Sequence, residues 1–228
     1  KRDINVPNGD EVEGAKLVVT YLGNDASVDF SAASVTLTRG GKDVTTSATK
    51  TKTTIAFITE TAQTTITGLV PGAYSLEETV APDGYEMQTT KILFTVGTDG
   101  KVSATSTIDA SVGKIENNKT VVILDKPQTV NISKRDVNAP NGDEVPGATL
   151  KIDYVGGGNN VDLTKVTLKQ GTTDVTSEAT RSTTSVTFTS GSAQTVVTGL
   201  KPGKYTLTET VKPNGYELQQ SVIEFTIS

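Results

Sequence analysis

The 228-residue sequence contains two copies of one pattern, and this duplication constrains the architecture more than any other feature. An opening Lys-Arg-Asp and a following Pro-Asn-Gly-Asp-Glu-Val segment begin at Lys1 and return 133 residues later, at Lys134. A repeat of this length can hold its own hydrophobic core, unlike the short units of solenoid proteins. We therefore expect two tandem domains, residues 1–126 and residues 127–228.

The composition indicates that both domains are all-β. Thr and Val are abundant, 21 residues are Gly, and no segment has the apolar spacing of an amphipathic helix. Short alternating runs separated by Gly-, Asn- and Pro-containing turns predict a sandwich of antiparallel strands. The clearest of these runs are Val35–Thr38, Ile55–Ile58, Val166–Lys169 and Val186–Thr189.

Several functional classes are disfavoured by composition. The chain has no Cys and no His, so it lacks the usual general base, thiol nucleophile and soft metal ligands. A net charge of −5 offers no basic surface for nucleic acid. We expect no membrane insertion, because no apolar run approaches the length of a spanning helix. With no signal-peptide core at its start, the chain is expected to be cytosolic or part of a longer protein.

Strand alternation draws attention to a few charged residues. Side chains two positions apart share one face of a strand, so a charge that continues an apolar face is directed toward the core. Glu78 follows Tyr74 and Leu76 in this way, and Glu209 repeats the pattern in the second copy. The same reasoning applies to Lys134 after Val130 and Ile132, and to Asp125 after Val121 and Ile123.

Burial would make such charges reactive toward one another. A buried Lys tends to lose its proton and a buried Glu tends to keep one, because each charged form is poorly solvated. A neutral amine beside a carboxylic acid and a side-chain carbonyl could form an amide. Structural ion pairs also produce such clusters, so strand alternation alone favours a salt-bridged or solvated group, with Lys1 frayed.

One motif resembles a known family. The stretch from Tyr74 to Tyr85, Tyr-Ser-Leu-Glu-Glu-Thr-Val-Ala-Pro-Asp-Gly-Tyr, is similar to the glutamate-bearing box of collagen-adhesin B-type (Cna B-type, SpaA-like) domains of Gram-positive surface adhesins and pilins. The second copy matches through Tyr216, with Lys212 replacing an Ala. The strand that ends in Lys134 resembles the family's first strand, and Val121–Pro127 resembles its last. The resemblance implies two Ig-like Greek-key β-sandwiches.

The family also implies a covalent cross-link. Its members join a first-strand Lys to a last-strand Asn or Asp by a self-formed isopeptide bond, which the box Glu assists. The resemblance thus implies a Lys1–Asp125 bond assisted by Glu78. Because Asp stands where Asn is usual, water would leave instead of ammonia. Asn117 or Asn118 would be the acceptor if the last strand lay elsewhere.

The second copy is expected to differ. Lys134 and Glu209 correspond to Lys1 and Glu78, but the counterpart of Asp125 would lie beyond Ser228. We therefore expect the second domain to lack its last strand in this chain, and Lys134 and Glu209 to form an unbonded ion pair.

These features predict a structural stalk of an extracellular, cell-wall-anchored adhesin or pilin, with neighbouring repeats or pilus subunits as partners. The alternative is an adhesive module that binds a host extracellular-matrix or other partner protein through its sheets or loops. We expect no catalytic turnover, because the one proposed reaction consumes its own side chains, and no cofactor.

Two further motifs are interpreted as ordinary loops. The acidic turns at Asn8–Glu11 and Asn141–Glu144 lack the spaced oxygen ligands of a calcium loop, and Asn-Gly forms a β-turn unaided, so no metal site is expected. The Gly156–Gly158 run lacks the Lys and helix of a phosphate-binding loop, so we expect a flexible connection.

Overall fold

The computed structural model describes residues 1–157 and 161–227, which form two compact units, residues 1–127 and residues 128–228. Each unit consists of β-strands with short 3-10 turns and has its own core. The all-β prediction is confirmed. The predicted glycine loop at 156–158 lies partly outside the described residues. No helix in the described ranges is long and apolar enough to cross a membrane.

The first unit contains twelve strands and one 3-10 turn at Thr45–Ser47. The strands are β1 (Arg2–Asp3), β2 (Lys16–Tyr21), β3 (Thr36–Arg39), β4 (Lys42–Asp43), β5 (Thr49–Lys50), β6 (Thr54–Ile58), β7 (Thr64–Thr67), β8 (Gly72–Val80), β9 (Ile92–Val96), β10 (Val102–Ala104), β11 (Gly113–Glu116) and β12 (Thr120–Asp125).

Three sheets surround the core of the first unit. The largest has the order β10-β9-β8-β2-β6-β5, and the smaller ones have the orders β4-β3-β7 and β1-β12-β11. One buried cluster joins residues from all three, including Leu37, Tyr74 and Ile123, each 0% exposed. Alternation accounts for the core, because β2 and β6 each bury every second side chain.

The second unit repeats most of this arrangement. Its strands are β13 (Thr129–Ile132), β14 (Thr149–Gly156), β15 (Thr167–Gln170), β16 (Thr173–Asp174), β17 (Thr180–Arg181), β18 (Ser185–Thr189), β19 (Thr195–Thr198), β20 (Gly203–Val211) and β21 (Ile223–Ile227), with 3-10 turns at Leu163–Lys165 and Thr176–Glu178. The sheet orders are β17-β18-β14-β20-β21 and β13-β19-β15-β16. No strand in its described residues takes the place of β11 and β12.

Candidate functional site

Lys1, Glu78 and Asp125 lie together inside the first unit. The Lys1 Nζ atom is 2.7 Å from Glu78 Oε1 and in direct contact with Asp125 Oδ1. All three side chains are 0% exposed. Lys1 is therefore not frayed, and the amine has an acidic side chain on either side of it.

The backbone of three strands produces this cluster. On β8, Tyr74, Leu76 and Glu78 share the buried face, as alternation predicts. Strand β12 ends at Asp125, and β1 pairs with it in parallel so that Asp3 lies opposite Asp125. The amide of Ile4 also donates to the Asp125 carbonyl at 2.8 Å. The residue in front of β1 is thereby held beside the end of β12.

A tight turn orients the Glu78 carboxylate. The turn after β8 closes when the Tyr85 amide donates to the Pro82 carbonyl at 3.2 Å, and Gly84 adopts a φ of 83° that favours glycine. The chain then returns so that the Gln88 amide donates to Glu78 Oε2 at 2.7 Å. One oxygen of Glu78 is thus fixed by the backbone, and the other faces Lys1.

Burial perturbs the acid at the end of β12. Loss of solvent raises the pKa of Asp125 to about 6, although the neighbouring Lys1 acts in the opposite direction. Within the described residues, no partner with hydrogen-bond geometry satisfies Lys1 Nζ, Glu78 Oε1 or either Asp125 carboxylate oxygen. Close, buried and incompletely hydrogen-bonded charges are costly, so this cluster has an incentive to become neutral.

Tyr85 closes the cluster from below. Its hydroxyl donates to Asp3 Oδ2 at 3.2 Å, and burial raises the Tyr85 pKa to about 12, with the Asp3 charge adding to the effect. The phenol therefore remains a neutral donor at physiological pH. Gln88 adds a side-chain hydrogen bond to the Leu124 carbonyl at 3.4 Å, which links the turn to β12.

The acidic turns serve ion pairs. Glu11 accepts from the Lys1 α-amine at 2.6 Å and from Arg2 Nε at 3.3 Å. In the second unit, Glu144 accepts from the Lys134 amide at 2.8 Å and from Arg135 Nε at 3.2 Å. The described residues contain no cluster of three or more Asp or Glu side chains that could hold a metal ion.

The second unit presents an incomplete version of the cluster. Lys134 Nζ is 3.6 Å from Glu209 Oε1, and the side chains are 18% and 2% exposed, respectively. The Gln219 amide donates to Glu209 Oε2 at 2.6 Å, as Gln88 does to Glu78. Lys134 Nζ also lies 6.0 Å from the centroid of the Tyr216 ring.

The alternative acceptors lie elsewhere. Asn117 and Asn118 occupy the exposed turn between β11 and β12, with φ angles of 52° and 53°. This turn is at the opposite end of β12 from Asp125, so the structure brings neither Asn beside Lys1.

Sequence reasoning missed two supporting residues, Glu11 and Gln88. Each recurs in the second copy, as Glu144 and Gln219. The recurrence was the available signal, but it does not distinguish a residue that supports a site from one that only shapes a turn.

Comparison with known proteins identifies the family. Residues 3–110 and 128–228 each match the SpaA prealbumin-like fold domain. The chain belongs to this family. Two SpaA domains in tandem account for the 131- to 133-residue repeat and for the similar β8 and β20 hairpins. No curated protein matches the chain.

Solved structures with a similar SpaA arrangement include three bacterial surface proteins. The C-terminal fragment of the pilus adhesin SpaC from Lactobacillus rhamnosus GG is 17% identical over 94% of this chain and 74% of that one, with a TM-score of 0.41. The Bacillus anthracis TIE protein is 19% identical, covering 100% of this chain and 30% of that one, with a TM-score of 0.37. A streptococcal ancillary pilin is 18% identical, covering 97% and 55%, with a TM-score of 0.31.

Proposed function

We propose that the two SpaA domains are stalk repeats of a cell-wall-linked surface adhesin or pilin, and that the first is locked by an amide bond between Lys1 and Asp125. The observation that carries this proposal is the fully buried contact of Lys1 Nζ with both Glu78 and Asp125. An extracellular location and assembly with neighbouring repeats or pilus subunits follow from membership of the SpaA family.

The reaction is a condensation of two side chains. The Lys1 nitrogen attacks Cγ of Asp125, a C–N bond forms, and one C–O bond of the carboxyl group breaks. Two of the three ammonium protons leave with the departing oxygen as water. Glu78 relays protons, because its free oxygen lies 2.7 Å from the Lys1 nitrogen while the Gln88 amide fixes the other.

The environment favours this step. A carboxylate resists nucleophilic attack, but Asp125, with a pKa of about 6, binds a proton more readily than an exposed Asp. Proton transfer within the buried cluster converts the ion pair into a neutral amine and a neutral acid. The protein reacts once with itself and has no turnover.

The bond would restrain almost the entire first domain. It joins residue 1 to residue 125, so the unfolded chain would become a closed loop. By analogy with a disulfide that closes a loop of about 100 residues, this restriction stabilises the folded state by about 4 to 5 kcal/mol. Tension applied along the stalk would pass through the cross-link without separating β1 from β12.

Intact-mass spectrometry of the full chain tests the proposal. We expect a mass one water below the sequence mass, and a branched peptide that joins Lys1 to Asp125 after digestion. Lys1→Arg and Asp125→Ala should have the full sequence mass. Asp125→Asn should lose one ammonia, because its leaving group is an amine.

Lys134→Arg is the matched control in the second domain. It should keep the deficit of one water, because Lys134 and Glu209 form only an ion pair in this chain. A wild-type chain at its full sequence mass would refute the cross-link.

A further inference from the structure

The first domain contains an open groove along one edge of β7. The groove has a volume of about 580 Å³, and its apolar lining comes from several strands. These residues include Leu17, Phe57, Ile66, Leu69, Val121 and Val122. Strand β7 pairs with β3 on its other edge, and among the described residues no strand pairs with β7 on the groove side.

The second domain has a strand at the equivalent edge. Strand β13 pairs antiparallel with β19, with Val130 opposite Val197 and Ile132 opposite Thr195. The Gly199 amide also donates to the Gln128 carbonyl at 2.8 Å. Strand β13 therefore covers the edge of β19 just before the chain reaches Lys134.

This coverage explains a difference in burial between matched residues. In the second domain, Val197 and Leu200 are 0% exposed. Their counterparts 131 positions earlier, Ile66 and Leu69, are only partly buried. The two domains otherwise share this part of the sheet, so the first domain exposes apolar surface that a strand like β13 would cover.

The α-nitrogen of Lys1 points to the direction of approach. It contacts Glu11 Oε2 at 2.6 Å, where the second domain has the peptide N–H of Lys134 contacting Glu144 Oε2 at 2.8 Å. Burial also lowers the pKa of this α-amine, although Glu11 opposes the change. The first domain thus offers the α-nitrogen a position suited to a peptide bond.

We propose that the groove beside β7 is a strand-binding site for an extended segment joined to the α-nitrogen of Lys1. The segment carries apolar side chains two and four positions before Lys1, opposite Thr64 and Ile66, as Ile132 and Val130 do before Lys134. Its backbone hydrogen-bonds to the open edge of β7, including the Gly68 amide, which corresponds to that of Gly199. This is addition of a β-strand to an exposed sheet edge.

The test adds the hexapeptide Gln-Thr-Val-Asn-Ile-Ser, copied from residues 128–133, in front of Lys1 of the full chain. Hydrogen exchange measured by NMR should slow at least tenfold at the Ile66 and Gly68 amides. These amides face the groove, because Gly199 faces β13 and N–H groups two residues apart point to the same side of a strand. The exchange rate of Gly199 serves as an internal reference.

The matched control carries the same hexapeptide with Asp at the Val and Ile positions, and it should leave exchange at Ile66 and Gly68 unchanged. Equal exchange rates in the extended and starting chains would overturn the proposal, as would equal protection by the Asp-substituted extension. The intact mass of each chain reports the Lys1–Asp125 bond separately, so failure of strand binding and failure of the cross-link are distinguishable.

Discussion

The two domains place the same glutamate in the same way but place the lysine differently. Backbone amides hold Glu78 and Glu209 at 2.7 and 2.6 Å, respectively. Lys1 is 0% exposed and lies 2.7 Å from its glutamate, whereas Lys134 is 18% exposed and lies 3.6 Å away. The glutamate therefore needs only its own strand and the following turn.

The difference shows what completes the site. In the first domain, β12 provides Asp125 and covers the lysine, and no strand does so in the described part of the second domain. Burial is what makes an amine and an acid costly as ions, so the last strand supplies both the acceptor and the environment for reaction. Three predictions test this comparison.

The largest effect is expected from Glu78→Gln. Removing the proton relay should leave Lys1 and Asp125 unbonded, so the chain should have its full sequence mass. The first domain should then lose about 4 to 5 kcal/mol of unfolding free energy, because its unfolded state is no longer a closed loop. Urea titration with hydrogen exchange of peptides from residues 1–127 measures this loss.

Two outcomes would contradict this account. A Glu78→Gln chain that still lacks one water would show that the relay is unnecessary. A variant that has lost the bond and kept wild-type stability would show that the cross-link does not stabilise the domain.

An intermediate effect is expected from pH. In the unbonded Glu78→Gln chain, Asp125 should bind a proton more readily when folded, with a pKa raised toward 6, than when unfolded, where the ordinary value is 3.8. The folded state then holds more protons between these values, so its unfolding free energy should fall by roughly 2 kcal/mol as pH rises from about 4 to about 6.

The bonded wild type should lack this contribution, because an amide nitrogen and carbonyl do not titrate in that range. Urea titrations of both chains at pH 4, 5 and 6 measure the difference. Parallel pH profiles would mean that Asp125 is in the same chemical state in both proteins.

Much of the site follows from the sequence because alternation is a local property. Tyr74, Leu76 and Glu78 share a face whatever the rest of the sheet does, and the duplicated box assigns the same role to Glu209. The all-β class and the family follow for the same reason, since periodicity and turn motifs are encoded within short segments.

The remainder depends on contacts between distant segments. The parallel pairing of β1 with β12 cannot be read from either strand, because Val122 and Leu124 leave both faces of β12 apolar. The burial of Lys1 and the role of the Gln88 amide also require the folded chain. The open groove beside β7 becomes visible only when the two domains are compared strand by strand.

The smallest effect is expected from Glu209→Gln. Lys134 is partly exposed and 3.6 Å from Glu209, so solvent screens their attraction, and a Gln oxygen still accepts from the Gln219 amide. The unfolding free energy of the second domain should change by less than about 1 kcal/mol, measured by urea titration with hydrogen exchange of peptides from residues 128–228. A loss as large as that of Glu78→Gln would mean that the positioned glutamate itself stabilises each domain, so the contrast between the domains would no longer require a covalent bond.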